Sequence, residues 1–141
     1  MEATGYLQGI NLQTNFNSNI ALTKVPIVKN IQKDIVASTN IKDHKIITTD
    51  KSPTELFYFE VTDNSMLNSD IKIGSLVLIE QQTAIEDSDI AAITLNSTGL
   101  ITKVFFYDHK IILLKDDSDP KIINKSEVEL IGKCIQVTSQ L

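Results

Sequence analysis

Turn-forming tetrapeptides cut the second half of this chain into apolar runs too short to be helices, and that limits the fold more than any other feature. Asn96-Ser97-Thr98-Gly99 separates Ile90–Leu95 from residues 100–107, and Tyr107-Asp108-His109-Lys110 separates that run from Ile111–Lys115. Asn, Asp, Ser and Gly bring tight-turn geometry and local side chain-to-backbone hydrogen bonds, so short apolar runs joined this way read as hairpins. Upstream, Leu56–Val61 alternates, with Phe57, Phe59 and Val61 on one face and Tyr58 and Glu60 on the other. Ser75–Glu80 is nearly continuous in apolar residues, and Glu129–Val137 is a last strand in which Gly132 marks a bulge. No stretch sustains a long 3.6-residue period. The expectation is a mostly β fold of roughly seven to nine short, mainly antiparallel strands.

The first half is less patterned. Residues 1–22 are polar, rich in Asn and Gln, and broken by Gly5 and Gly9, as in a linker or tail. Val25-Pro26-Ile27-Val28 is a short apolar run whose proline suits a strand start or an edge. Residues 29–55 hold isolated apolar islands and are expected as extended or loop structure lying over a sheet, closed by the turn Lys51-Ser52-Pro53. The remaining stretch, 23–141, is long enough for one domain with a real core.

Composition excludes several function classes. The formal charge is −5 and all 13 basic residues are lysines, so the arginine fork that reads guanine and phosphate is missing. A net acidic, arginine-free chain is a poor nucleic-acid binder by itself. One cysteine, Cys134, makes no internal disulfide and fits a reducing compartment. No apolar stretch is long enough to span a bilayer and no signal peptide is visible, so the expected location is cytoplasmic and off the membrane. His44 and His109 are isolated, and Asp116-Asp117-Ser118-Asp119 lacks calcium-loop spacing, so no metal or other cofactor is expected. His109 reads as a turn residue and Cys134 as a core thiol.

One pairing suggests chemistry. Asp63-Asn64-Ser65-Met66 follows the run 56–61, and 38 residues after Ser65 comes Lys103, a charged residue inside the apolar run 100–107. A serine hydroxyl needs a base to become a nucleophile and donors to hold the developing oxyanion. A lysine serves as that base only when its amine is neutral, which an apolar environment favours. Period-two alternation puts Lys103 on one face with Ile101 and Phe105, opposite Thr102, Val104 and Phe106. Ser65 falls just past a strand, where backbone N–H groups are free; its own N–H is the candidate oxyanion donor. On pattern alone the competing reading is a capping serine in an Asx turn and a lysine reaching solvent from an edge.

The order of the motifs favours the chemical reading. From Val25 onward the chain has Asp63-Asn64-Ser65-Met66, then Ile73-Gly74-Ser75-Leu76-Val77-Leu78, then Asp87-Ser88-Asp89-Ile90-Ala91-Ala92. Thr102-Lys103-Val104, Ile112-Leu113-Leu114 with Pro120, and Leu130-Ile131-Gly132-Lys133 follow. In this series the chain resembles the LexA/CI-repressor/UmuD superfamily of self-cleaving Ser-Lys peptidases, over about 115 of its 141 residues. The resemblance implies a highly curved, mainly antiparallel β-fold with an extended N-terminal arm, Ser65 as nucleophile and Lys103 as general base. Val25-Pro26-Ile27-Val28 is similar to the family's segment before the scissile Ala-Gly bond, and counting forward places Lys33-Asp34 there, with Ala37-Ser38 as the nearest small pair. The chain also departs from the family in carrying Asp63-Asn64 where the motif has Gly-Asp, and Ser75 where an Asp follows the glycine.

What the resemblance implies about function is a C-terminal dimerisation and regulatory domain of a LexA/CI-type, phage-like transcriptional repressor, with a Ser-Lys self-cleavage site. Its partners would be a second copy of itself, RecA or an antirepressor protein, and operator DNA reached only through a separate N-terminal helix-turn-helix domain. A UmuD-like, self-processing polymerase accessory protein is the alternative. Signal peptidase I shares the Ser-Lys pair, but the chain lacks a membrane anchor and a proline after Ser65-Met66.

Overall fold

A computed structural model describes residues 20–82, 84–116 and 118–139. Among these residues nine strands follow one another: β1 (Ala21–Val28), β2 (Ile41–Thr49), β3 (Leu56–Glu60), β4 (Leu76–Gln81), β5 (Ile90–Leu95), β6 (Thr98–Tyr107), β7 (Lys110–Leu114), β8 (Lys121–Asn124) and β9 (Val128–Thr138). They form one sheet in the order β2-β1-β3-β4-β9-β5-β6-β7-β8. Every pairing is antiparallel except β1 with β3, which run parallel over two residue pairs. The expected mostly β, mainly antiparallel fold is what the chain adopts. Of the expected tail, residues 1–19 lie outside the described residues, and Ala21 and Leu22 begin β1.

Three apolar clusters hold the sheet together. Alternation along β3 and β4 sends Phe57, Phe59, Val77 and Ile79 into a central cluster and Leu56, Tyr58, Leu76 and Leu78 into a second. The same alternation along β5 sends Ala92 and Ile90 to the central cluster and Ala91 and Ile93 to a third, shared with Val104, Ile111 and Leu113. Both faces of the middle strands are thus buried, yet among the described residues the only helical pieces are three-residue 3₁₀ turns. The sheet therefore covers its own faces by curling, and the alternation Phe57/Phe59 against Tyr58 separates two buried clusters, not core from solvent.

Strand β9 lies between β4 and β5. Its register slips against each neighbour, at Ile135 opposite Leu78/Ile79 and at Ile131 opposite Ala92/Ile93. The bulge expected at Gly132 thus falls on the residue before it, while Gly132 itself pairs with Gln81 and Ala92. The two slips let Leu130 face the third cluster while Ile131 and Cys134 face the central one. Gly132 is fixed by close approach: a Cβ there would run into the Glu80 carbonyl oxygen and stand 2.7 Å from Ile79 Cγ2. Cys134 is half-buried, and burial pushes its thiol up to about 11.

Two strands were not legible as such. The stretch 41–49 forms β2, paired with β1 from Ala21↔Thr49 to Val28↔Ile41, and 121–124 forms β8, paired with β7. They are the two outer strands of the sheet, and an outer strand takes its hydrogen bonds from one neighbour without needing an apolar pattern of its own. The hairpin before β6 is also tighter than the tetrapeptide suggests. Only Asn96 and Ser97 turn, at φ of 52° and 67°, while Thr98 and Gly99 already pair with Leu95 and Thr94. His109 sits in the β6–β7 turn, as expected.

Replacing Gly132 by alanine forces backbone apart where β4 and β9 meet. It should lower stability by roughly 1–3 kcal/mol, the range for overpacking a tight interior. Urea unfolding should show a lower midpoint at an unchanged slope.

Candidate functional site

Ser65 sits in the connection from β3 to β4, which is a closed excursion. At its neck Val61 N donates to the Ser75 carbonyl at 2.9 Å and Gly74 N to the Val61 carbonyl at 2.8 Å. Inside it, Ile73 N donates to Asn64 Oδ1 at 2.9 Å, and Ile71 N reaches the Met66 carbonyl at 3.2 Å. Met66 and Ile71 anchor the excursion in the central cluster, both at or below 2% exposure. Ser65, between exposed Asn64 and buried Met66, is itself buried.

A second fastening comes from the end of β7. Asp116 N donates to the Ser65 carbonyl at 2.9 Å, and Ser69 N donates to Asp116 Oδ2 at 2.9 Å. The loop carrying Ser65 is thereby tied to the far half of the sheet. Ser65 lines a small cavity of about 70 Å³ whose apolar wall includes Ile31, Val61, Met66, Ile71 and Ile101. Gly99 and Leu100 of β6 line it as well, and so does Lys115, the residue after β7.

The Ser65 hydroxyl donates to Asp63 Oδ1 at 2.8 Å, and the Ser65 N–H donates to the same oxygen at 3.0 Å. Those two bonds, with a smaller contribution from the Lys115 charge, hold the Asp63 carboxyl below its ordinary value against an opposing push from partial burial. The N–H that sequence reasoning offers to an oxyanion is therefore engaged by Asp63.

Lys103 lies on β6 with Ile90 and Leu114 as cross-strand partners. It shares the face of Ile101, which packs on the central cluster, and is half-buried; the fully buried face of β6 is that of Thr102 and Val104. The face that Lys103 shares with Ile101 is thus the less enclosed of the two. The lysine lining the Ser65 cavity is Lys115, adjacent in sequence to the cross-strand partner of Lys103. Sequence reasoning passed over Lys115 because it ends an apolar run next to an acidic turn, where a lysine looks like an ordinary solvated boundary.

The segment counted as the cleavage region is a loop clasped by Asn40. Its buried side-chain amide donates to the carbonyls of Asn30 and Ile35, each at 2.9 Å, and its Oδ1 accepts from Asn30 N at 3.0 Å. Ile31 and Ile35 are pinned in the central cluster, and Ile31 crosses β6 so closely that a Cβ on Gly99 would meet the Ile31 carbonyl oxygen. Lys33 and Asp34 are exposed between those anchors, and Lys33 lines a different hollow with Thr94, Asn96 and Glu127. Ala37 is half-buried and Ser38 exposed at the following 3₁₀ turn. The residue of this loop placed against the Ser65 cavity is Ile31.

The fold is thus a mainly antiparallel β-domain with a buried serine on a tightly held loop, set against Gly99, Leu100 and Ile101 of β6. Residues 25–135 match the family described as Peptidase S24-like, and the chain belongs to that family. It is similar to the LexA repressor of Clostridium acetobutylicum, 30% identical over 115 residues, covering 77% of this chain and 55% of that protein. The LexA repressor of Clostridium kluyveri is 27% identical over 84% of this chain and 61% of its own length. The LexA repressor of Staphylococcus aureus is 26% identical over 96% of this chain and 73% of its own. The chain thus spans less than two thirds of the length of the first two of these relatives. Among the described residues no helix is long and apolar enough to cross a membrane.

The Asp63 hydrogen bonds have a pH consequence. A carboxyl lowered by folding stabilises the folded state above its unfolded value, about 4, and that contribution is lost as pH falls through the folded one. Asp63→Asn removes the titrating group, so its stability should fall less than wild type's between pH 7 and pH 3, read as urea midpoints at the two pH values.

Proposed function

We propose that this chain is the C-terminal regulatory and self-association domain of a LexA/CI-type repressor, carrying a Ser65–Lys103 self-cleavage site. The observation that supports this most is the pairing of a buried serine on a fastened loop with β6, within residues that match a peptidase family whose similar relatives are named LexA repressors. Ser65 is the nucleophile and Lys103 the base. Attack forms an Oγ–carbon bond and moves the hydroxyl proton to the lysine amine; collapse breaks the carbon–nitrogen bond and returns the proton to the leaving amine. Water then hydrolyses the ester. The bond cut lies in the loop 29–40, with Lys33-Asp34 as first candidate and Ala37-Ser38 as second.

Self-association follows the logic of operator reading, in which two half-site readers need a two-fold partner. DNA contact falls to a separate helix-turn-helix domain, and the net charge of −5 with no arginine on this chain agrees with that division. RecA or an antirepressor protein is the proposed regulator of the cleavage loop, and the cytoplasm the proposed location.

Incubation of the purified chain at alkaline pH, which favours the neutral amine any lysine base needs, should yield two fragments whose masses identify the bond cut. Ser65→Ala and Lys103→Ala should each abolish the fragments; cleavage that survives either substitution removes that residue from the mechanism. Sedimentation at tens of micromolar should show a dimer or larger species, and a strict monomer would remove the self-association role.

A further inference from the structure

Ser65 offers two groups that acyl transfer needs, a hydroxyl proton that leaves for a base and an N–H that meets an oxyanion. Both are committed to a single oxygen, Asp63 Oδ1, at 2.8 Å and 3.0 Å. We propose that Asp63 is a latch on Ser65: its carboxylate must swing away before the serine can react. The proposal rests on the reading of Ser65 as nucleophile.

Three observations carry it. First, the Ser65 N–H points at one acceptor site, and Asp63 Oδ1 occupies it; an oxyanion using that N–H would have to stand where the carboxylate oxygen stands. Second, the carboxylate's negative charge beside the reacting carbon opposes both the ionising hydroxyl and the developing oxyanion, the sign opposite to what the reaction needs. A carboxyl held in its ionised form by these bonds is also a poor proton acceptor, so Asp63 secures the proton on the hydroxyl without taking it. Third, the latch has somewhere to go. Asp63 is exposed while Ser65 is buried, so a turn of the Asp63 side chain takes its carboxylate toward solvent. The serine keeps its place meanwhile, because its carbonyl is held by Asp116 N and its neighbour Met66 is anchored in the central cluster.

The geometry thus separates two tasks within one short turn. Met66, Ile71 and Asp116 position the nucleophile, and Asp63 restrains it. A latch of this kind lets the chain hold an assembled site without spending itself, until contact with a partner draws the carboxylate off.

The test compares self-cleavage rates at alkaline pH in wild type, Asp63→Asn and Asp63→Ala, with the exchange rate of the Ser65 amide hydrogen as a second readout. Asp63→Ala should cut itself roughly ten- to hundredfold faster than wild type, the range that releasing one charge-assisted hydrogen bond allows. Asp63→Asn, which keeps an acceptor oxygen but loses the charge, should fall between the two and serves as the variant to read if the alanine form does not fold. The Ser65 amide should exchange slowly in wild type and Asp63→Asn and at least tenfold faster in Asp63→Ala.

A purely structural role for Asp63 would lower the rate on substitution, so an unchanged or slower rate in variants of a cleaving wild type overturns the latch while leaving Ser65 and Lys103 in place. Equal amide exchange in wild type and Asp63→Ala overturns it as well. Absence of cleavage in all three chains, with Asp63→Ala folded, overturns the self-cleavage reading itself and the latch with it. Cleavage by Asp63→Ala alone supports both.

Discussion

The pairing of β9 with both β4 and β5 is the interaction on which the rest of this structure depends. Residues 21–81 build one half of the sheet and residues 90–124 the other, and in the strand order the two halves meet only through β9. Strand β9 therefore closes the sheet, at a sequence separation that makes the closure entropically costly and topologically slow. Gly132 shows how tight the seam is, since the backbone of β4 leaves no room for a Cβ at the point where β9 passes between its neighbours. Two register slips in the same strand let it serve clusters on opposite faces.

The candidate site straddles that seam. Ser65 and Asp63 come from the β3–β4 connection in the first half; Gly99, Leu100 and Ile101 come from β6, and Lys115 and Asp116 follow β7, in the second. Neither half holds a complete set of groups. The Asp116 bonds to Ser65 and Ser69 bridge the two directly, and the central cluster fills the space beneath with side chains from both. A site assembled this way exists only when the whole sheet has closed, which ties any chemistry at Ser65 to the folded state of the entire domain.

The loop 29–40 shows the same economy on a smaller scale. Asn40 satisfies two carbonyls and an amide of the loop with one buried side chain, and Ile31 and Ile35 commit their bulk to the core. Burying a polar amide is tolerable only with its hydrogen bonds complete, and here they are supplied by the loop it organises. The exposed tip at Lys33 and Asp34 is free of those ties, so anchoring and exposure alternate within a few residues.

Much of this was legible in the chain itself. Alternation and turn residues gave the inner strands β3 to β7 and β9, because their apolar runs are bounded by polar turns. Strand β1 was not given, since its proline suited an edge or a strand start, yet Pro26 sits inside a strand paired with both β2 and β3. The outer strands β2 and β8 were not legible, because one paired edge can hold a strand whatever its side chains. Ser65 and Lys103 stood out by residue type and motif order. Their neighbours Lys115, Asp63 and Asp116 looked like ordinary polar residues at strand ends.

What the sequence by itself determined was the β class, the strands β3 to β7 and β9 and the family to which the chain belongs, since these rest on local period, turn chemistry and motif order. Tertiary structure decided the rest: which faces became interior, that Gly99 is a point of close approach and not a turn glycine, that Ile31 meets the Ser65 cavity, and that Asp63 holds Ser65. Those are contacts between segments remote along the chain, or rotamers chosen within a crowded turn, and period and composition carry no information about either.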